Sequence, residues 1–335
     1  MNKKRSLGYL VTCFVGCFFA SLMLSNAVMA EPINIRFAHV VSPDAPKGRM
    51  AQKFKELVQQ RLGNDKVTVT IYPNSTLFSD SKVLSGMLDG AVELAAPSLS
   101  KLKKYSTRFQ VFDLPFVFSS PIAAEKFLGG EYGVRLLDSL KPNGFQGLGY
   151  LNNGMRQLSS NTIMRKPDDI SGLKFRYSGS DVAKSWLAST GATPLKISFS
   201  KVYGKLESKE IDGQMNVWSN ILSKRFYEHQ KYIVESDHSY LAYVILSSDK
   251  FWNSLPSDIR PVLEASMKDA IAFGNDIARQ KVVSDRQKVI EAGTSEIYKL
   301  TVAERQAWTE AMLPVWKKYE SEIGSGLIQA AASQR

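Results

Sequence analysis

The chain has 335 residues, 44% apolar and 22% charged, with 43 Lys and Arg against 32 Asp and Glu and a formal charge of +11. This is the composition of an ordinary globular protein, and the basic residues are interleaved with acids along its length, which excludes a nucleic-acid-binding stripe. The two cysteines, Cys13 and Cys17, both fall within the first 30 residues, so the chain beyond them has no disulfide and no thiol ligand.

The N-terminus sets the compartment. Lys3, Lys4 and Arg5 precede an apolar run from Leu7 to Leu24, followed by the small residues Val28 and Ala30, the layout of a cleavable secretory signal with its cut after Ala30. An uncleaved anchor and a lipoprotein cut before Cys17 are the alternatives. The second would strand Phe18, Phe19, Leu22 and Leu24 on the mature chain. Without residues 1–30 there remain 305 residues with 40 basic and 32 acidic side chains, a formal +8. That length holds one large or two ordinary domains, each with a real core.

Ile33, Ile35 and Phe37 alternate with polar residues as in a half-buried strand, and Met50, Phe54, Leu57, Val58 and Leu62 recur at helical spacing up to Gly63. A strand at Val67–Tyr72, a helix carrying Val83, Leu84, Met87 and Leu88, and a short strand over 91–96 complete a β-α-β-α-β order. Such an order implies a mainly parallel sheet covered on both faces, with ligands bound at the carboxyl ends of its strands. Helices near 121–129 and 131–140 lead to a strand at 145–151. The pattern then repeats: a strand at 173–177, a helix at 181–189, and another carrying Val202, Tyr203 and Leu206. A second α/β unit is expected. Residues 257–292 are helical in pattern, with Pro261 near the first turn and Gly293 just past the end. At ~1.5 Å per residue this helix is roughly 50 Å long, enough to brace two lobes, although a kink at Gly274 is equally compatible.

The sequence contains no Gly-rich phosphate loop, no His-Glu-x-x-His, no Gly-x-Ser-x-Gly and no metal-spaced Cys/His cluster, so no cofactor is expected. Ser98 and Ser198 each precede a lysine by three residues but lack the companion motifs of an acyl-transfer enzyme. His39, His229 and His238 are widely spaced. What remains is a binding constellation. Arg176 sits on a strand opposite in parity to Leu173, Phe175 and Tyr177, and Arg156 follows Asn153 and Gly154 in the expected turn after the preceding strand. A guanidinium fork matches a carboxylate bidentately and keeps its charge; the alternative for each arginine is a solvated strand residue.

These residues carry a resemblance. Tyr72-Pro73-Asn74-Ser75, Ala96-Pro97-Ser98-Leu99-Ser100-Lys101, Phe112-Asp113-Leu114-Pro115-Phe116, Asn153-Gly154-Met155-Arg156-Gln157, Gly172-Leu173-Lys174-Phe175-Arg176, Asp212-Gly213-Gln214 with Asn216, and Phe251-Trp252 with Leu255-Pro256 occur in order and register. Over its mature length the chain resembles the DctP-type solute receptors of tripartite ATP-independent periplasmic (TRAP) transporters, closest to the C4-dicarboxylate subgroup. The resemblance implies an α/β, two-lobed periplasmic binding protein fold with crossing strands and a long bracing helix. It places lobe one at 31–153 plus 242–281 and lobe two at 154–241 plus 282–335. It further implies a carboxylate clamp at Arg176, support from Arg156 and Asn216, an aromatic wall at Phe199, lobe-one contacts at His39, Lys47 and Ser98, and a hydroxyl from Tyr240. Lys47 and Ser98 are the residues expected to meet a second carboxylate.

Departures from the pattern are Leu151-Asn152 where many relatives carry Trp-Asp, and Met215-Asn216-Val217 where they carry Glu-Asn-Pro. The implied role is a non-enzymatic periplasmic receptor, expected to be a monomer without nucleic-acid partners. It delivers a small organic acid to a small and a large membrane subunit driven by an ion gradient. A keto acid or sugar acid is the alternative ligand, and a secreted hydrolase with a spatially assembled site the alternative class.

Overall fold

The structure, a computed structural model, describes residues 31–334; the expected signal and its cut after Ala30 lie outside the described residues. The N-terminal half runs β1 (Ile33–Ala38), α1 (Pro46–Leu62), β2 (Val67–Tyr72), α2 (Val83–Leu88), β3 (Leu94–Ala95), α3 (Pro121–Gly129), α4 (Glu131–Asp138) and the long β4 (Phe145–Ser160). There follow β5 (Lys174–Tyr177), α5 (Asp181–Ser189), β6 (Thr193–Lys196), α6 (Val202–Glu207), β7 (Gly213–Asn216), α7 (Trp218–Ser223) and a second long strand, β8 (Tyr232–Ser248). The chain ends with α8 (Asp249–Ser254), α9 (Arg260–Glu291), β9 (Glu296–Lys299), α10 (Val302–Ile323) and α11 (Ser325–Ser333).

All nine strands of the described residues belong to one sheet, ordered β2-β1-β3-β8-β4-β7-β5-β6, with β9 on β8. Two parallel groups stand at its ends: β1 pairs parallel with β2 and β3, and β5 pairs parallel with β6 and β7. The antiparallel pair β4 and β8 runs from one group into the other, in register from Phe145 opposite Ser248 to Ser160 opposite Tyr232. One end of β8 borders β3 and its other end borders β9, so each half of the sheet is built on a different end of the same two strands. The expected crossing strands are these.

The register of β4 against β8 slips between Asn152 and Gly154, where Gly154 takes φ +102°. A bulge of this kind lets a strand bend and re-aim its side chains, and glycine supplies the backbone freedom. Its consequence corrects the expected strand end at Leu151. The bulge breaks the alternation that ends the pattern in sequence, yet β4 resumes beyond it and carries Arg156 inside the strand rather than in a turn.

Helix α9 is unbroken over 32 residues. Near its start Leu263, Met267 and Ala270 pack with Phe37, Phe54 and Leu94; near its end Val289 joins Val202, Ile221 and Phe226. One helix thus contributes to the cores of both halves. Gly274 does not kink it: a Cβ there would lie 2.7 Å from Leu151 Cδ1 and from Met50 Cβ, so the missing side chain is what allows α9 to approach α1 and β4 closely. The C-terminal helices fasten the segment 107–118, with Trp316 Nε1 donating to Pro115 O at 2.8 Å and Thr107 Oγ1 to Glu322 O at 2.7 Å.

Candidate functional site

The carboxyl ends of the parallel strands in both groups face one cavity, which holds about 640 Å³ of atom-free space counting its mouth. Val40 and Val41 follow β1, Ser75 and Asp80 follow β2, and Ser98 and Lys101 follow β3. From the other group come Arg176 at the end of β5, Ser198 and Phe199 after β6, and Asn216 at the end of β7. Arg156 of β4 and Leu241 and Tyr243 of β8 form the floor between them. A pocket where two sets of strand ends converge is the place an open α/β sheet offers a ligand.

Arg176 is 4% exposed. Its Nε donates to Ile197 O at 3.0 Å, which fixes the plane of the guanidinium and leaves the two terminal nitrogens for the cavity. Among the described residues no carboxylate pairs with it. Burial, and then the neighbouring charge of Arg156, push its pKa down to about 10, against the opposing pull of Asp80. A buried cation without a counter-ion is costly, so this position favours an anion from outside.

Arg156 differs. Its Nη1 lies 3.2 Å from Asp113 Oδ1 and also donates to Ser239 Oγ at 3.0 Å and Tyr240 O at 3.2 Å. Much of its charge is met from within, so its contribution is a fixed set of donors more than a free charge. Burial raises the pKa of Asp113, with Arg156 opposing, and Asp113 Oδ2 has no partner.

Asn216 is oriented by its carbonyl. Oδ1 accepts from Asn220 Nδ2 at 2.7 Å and Val217 N at 3.2 Å, leaving the amide NH₂ as a donor to the cavity. Phe199 forms a wall, packing on Val40, Val41 and Ala45 across the cleft and edge-on to Phe226 at 6.0 Å. Ser98 lines the opposite side; its backbone N donates to Asp80 Oδ2 at 3.3 Å, and its hydroxyl lies 3.2 Å from that of Ser100. The Ser-x-x-Lys match therefore has no nucleophile geometry: Lys101 Nζ donates to Ser178 O, not to Ser98.

Five of the eight residues singled out in the sequence thus meet in one cavity: Arg156, Arg176, Asn216, Phe199 and Ser98. Lys47 stands one layer behind it, 1% exposed, with Nζ donating to Ala96 O at 2.8 Å and lying 3.6 Å from the centre of the Tyr243 ring that faces the cavity. Burial pushes its pKa down to about 8, with Asp80 opposing. His39 lines a separate groove with Pro43, Arg49 and Phe273. Burial, and then the charge of Lys47, push it to about 3, so its imidazole is neutral. Tyr240 is not brought to the cavity. Its ring meets Phe118 edge-on at 6.4 Å and its buried hydroxyl has no partner.

Lys101, Asp80, Asn220 and Tyr243 line the cavity without having been singled out as ligand contacts. Burial pushes Lys101 down to about 8; Asp80 opposes this, and Arg176 and Lys196 add to it. Tyr243 OH accepts from Asn153 Nδ2 at 3.0 Å, and burial raises its pKa to about 12. The signal that could have found Lys101 and Asp80 is positional, since both lie just past the carboxyl end of a parallel strand.

Two α/β groups sharing two through-running strands, with cations converging in the cleft between them, define a two-lobed binding protein. The chain belongs to the bacterial extracellular solute-binding proteins, family 7 (DctP), whose family model matches residues 37–322. It is 46% identical over 304 residues to the C4-dicarboxylate-binding periplasmic protein DctP of Shewanella loihica, covering 91% of this chain and 90% of that one. A TRAP periplasmic solute-binding protein from Shewanella oneidensis, solved with bound succinate, superposes with a TM-score of 0.89 at 46% identity, over 90% of this chain and 99% of that one. A TRAP periplasmic solute-binding protein from Pseudomonas aeruginosa with bound L-malate gives a TM-score of 0.83 at 38% identity, over 86% and 100% of the two chains.

Proposed function

We propose that the chain is a periplasmic receptor that closes on a C4-dicarboxylate, such as succinate, malate or fumarate, and delivers it to the small and large membrane subunits of a TRAP transporter. The observation that carries this reading is the buried, unpaired Arg176 in a cationic cleft. Arg156, Arg176 and Lys101 in the cavity and Lys47 behind it make four cations. Asp80 and Asp113 supply two carboxylates, which leaves a net +2. A dianion neutralises that balance. A monocarboxylate leaves half of it, and a neutral sugar leaves all of it buried, at a cost of several kcal/mol per unmatched charge. The names of the relatives point the same way.

In this reading lobe one is 31–153 plus 242–281 and lobe two is 154–241 plus 282–335. The slip at Gly154 on β4 serves as a flexing point. Export follows from the N-terminal segment, with cleavage after Ala30, and the receptor acts as a monomer without catalysis. The test is a thermal-shift panel of the purified mature protein against succinate, malate, fumarate, pyruvate, a sugar acid and neutral analogues. A ligand at a thousandfold excess over its Kd stabilises by ~4 kcal/mol, a shift of several degrees. The diacids give the largest shifts. A response to a neutral sugar and to no acid refutes the proposal.

A further inference from the structure

Beside the ligand cavity lies a second concavity of about 840 Å³ of atom-free space, lined in part by Lys101, Lys103, Lys104 and Lys196. It shares Ser81 and Lys101 with the ligand cavity, so these two residues stand between the two concavities. Lys101, Lys103 and Lys104 lie on the short helical stretch Leu99–Lys104 that follows β3, whereas Lys196 ends β6, in the opposite parallel group. The two walls converge over Gly179. A Cβ placed there would sit 3.3 Å from Lys101 Nζ, 3.3 Å from Lys196 Cε and 4.0 Å from Lys196 Nζ.

The groove is short of counter-charge. Among the described residues only Lys103 of the four has an acidic partner, Asp181. Lys104 and Lys196 are exposed, and no acidic side chain lines the groove. The charges also act on one another: beyond burial, Arg176 and Lys196 both depress the pKa of Lys101, against the larger opposing pull of Asp80. Lys196, Lys101 and Arg176 therefore form a line of cationic side chains from the exposed groove to the buried site, with Asp80 of the inner cavity the carboxylate that acts on both Lys101 and Arg176. On the Phe199 side the two groups touch, with Phe199 packed on Val40, Val41 and Ala45 and Lys224 Nζ donating to Asn74 Oδ1 at 3.0 Å.

We infer that this lysine groove is an outer docking subsite for small dianions, through which a dicarboxylate enters the cleft and is passed by Lys101 to Arg176. The inference rests on the dicarboxylate reading above and extends it to the route of capture. Charged clefts with low-dielectric walls concentrate a ligand of opposite sign and raise its association rate, and salt screens the effect. Lys104 and Lys196 do not line the inner cavity, so they accelerate arrival without holding the bound ligand.

The test is stopped-flow succinate binding, followed by tryptophan fluorescence, to wild type and to the double variant Lys104→Gln/Lys196→Gln. A control, Lys250→Gln/Lys268→Gln, removes the same charge from exposed positions on α8 and α9. From two unit charges within about 8 Å of a dianion's path, the association rate of the groove variant falls roughly tenfold at ~10 mM ionic strength and about threefold at ~0.15 M. Its dissociation rate and melting temperature stay at wild-type values, and the control changes little. An association rate unchanged at low salt, or one lowered equally in the control, overturns the inference. So does a faster dissociation, which would place these lysines on the bound ligand. Wild type that binds no acid at all would overturn the dicarboxylate reading itself, and this route with it.

Discussion

Replacing Arg176 with methionine separates the cost of burying its charge from the use made of it. Without ligand, burial and then the charge of Arg156 hold the guanidinium at about 10, well below its ordinary value, which corresponds to a cost of ~3 kcal/mol. A base whose folded-state pKa is lowered carries that cost in full at every pH below about 10, and is relieved only as pH rises through that value. Methionine fills most of the same volume, removes the charge and forfeits the bond to Ile197, worth ~1 kcal/mol. The ligand-free Arg176→Met protein is therefore as stable as wild type or more stable by up to ~2 kcal/mol, a rise of at most about 4 °C in melting temperature. Ligand binding moves the other way. Truncating one partner of a buried, hydrogen-bonded charge pair costs about 2–5 kcal/mol, so the Kd for succinate rises between roughly thirtyfold and several thousandfold. Calorimetric titration with differential scanning of the empty protein measures both. An empty variant destabilised by more than ~2 kcal/mol that still binds succinate tightly would return Arg176 to a structural role and refute the argument.

Other outcomes follow from the same geometry. Lys47 and Lys101 are both held near 8 by burial; the stability of the empty protein therefore rises as pH climbs from about 8 towards 10, as the cost of burying their charge is lifted. Succinate affinity falls over the same window, and Lys101→Met flattens the fall; an affinity constant from pH 6.5 to 9.5 contradicts this. Asn216→Asp keeps the acceptor that Asn220 and Val217 bind but turns a donor facing the cavity into a negative charge. Titration is expected to show a loss of at least about a hundredfold, from one like charge near the ligand in a partly buried site. Gly274→Val forces a side chain into the contact with Leu151 and Met50 and lowers stability by about 2–3 kcal/mol in urea denaturation, with succinate Kd little changed because α9 does not line the cavity.

The sequence exposed those parts of the molecule whose burial is one-sided. Strands β1 and β2 and helix α1 keep a clean apolar face, and α9 keeps a proline at its start and a glycine past its end. Strand β8 is the counter-example: from Ser239 to Ser248 every residue is buried, so no alternation survives, and only the resemblance anticipated strands that cross. Register was equally hidden. Tyr240 and Tyr243 are three residues apart on β8, hence of opposite parity, and it is Tyr243 that faces the cavity. Arg176 was legible because its strand has a readable parity. Lys101 was read as half of a Ser-x-x-Lys match and as the end of the Ala96–Lys101 segment, not as a ligand contact, since its place in the cavity depends on the loop after β3 meeting Ser178 from the far group, a long-range contact that spacing does not encode. The expected two-lobed α/β architecture agrees with the solved relatives.

Strands β4 and β8 have one more implication. Arg156 and Tyr243 are set in the same continuous ribbons that tie the molecule's two ends together. Both side chains line the cavity, so its floor is part of the strands that join the two groups. A change in the bend of either strand therefore shifts the cavity floor together with the two groups of parallel strands.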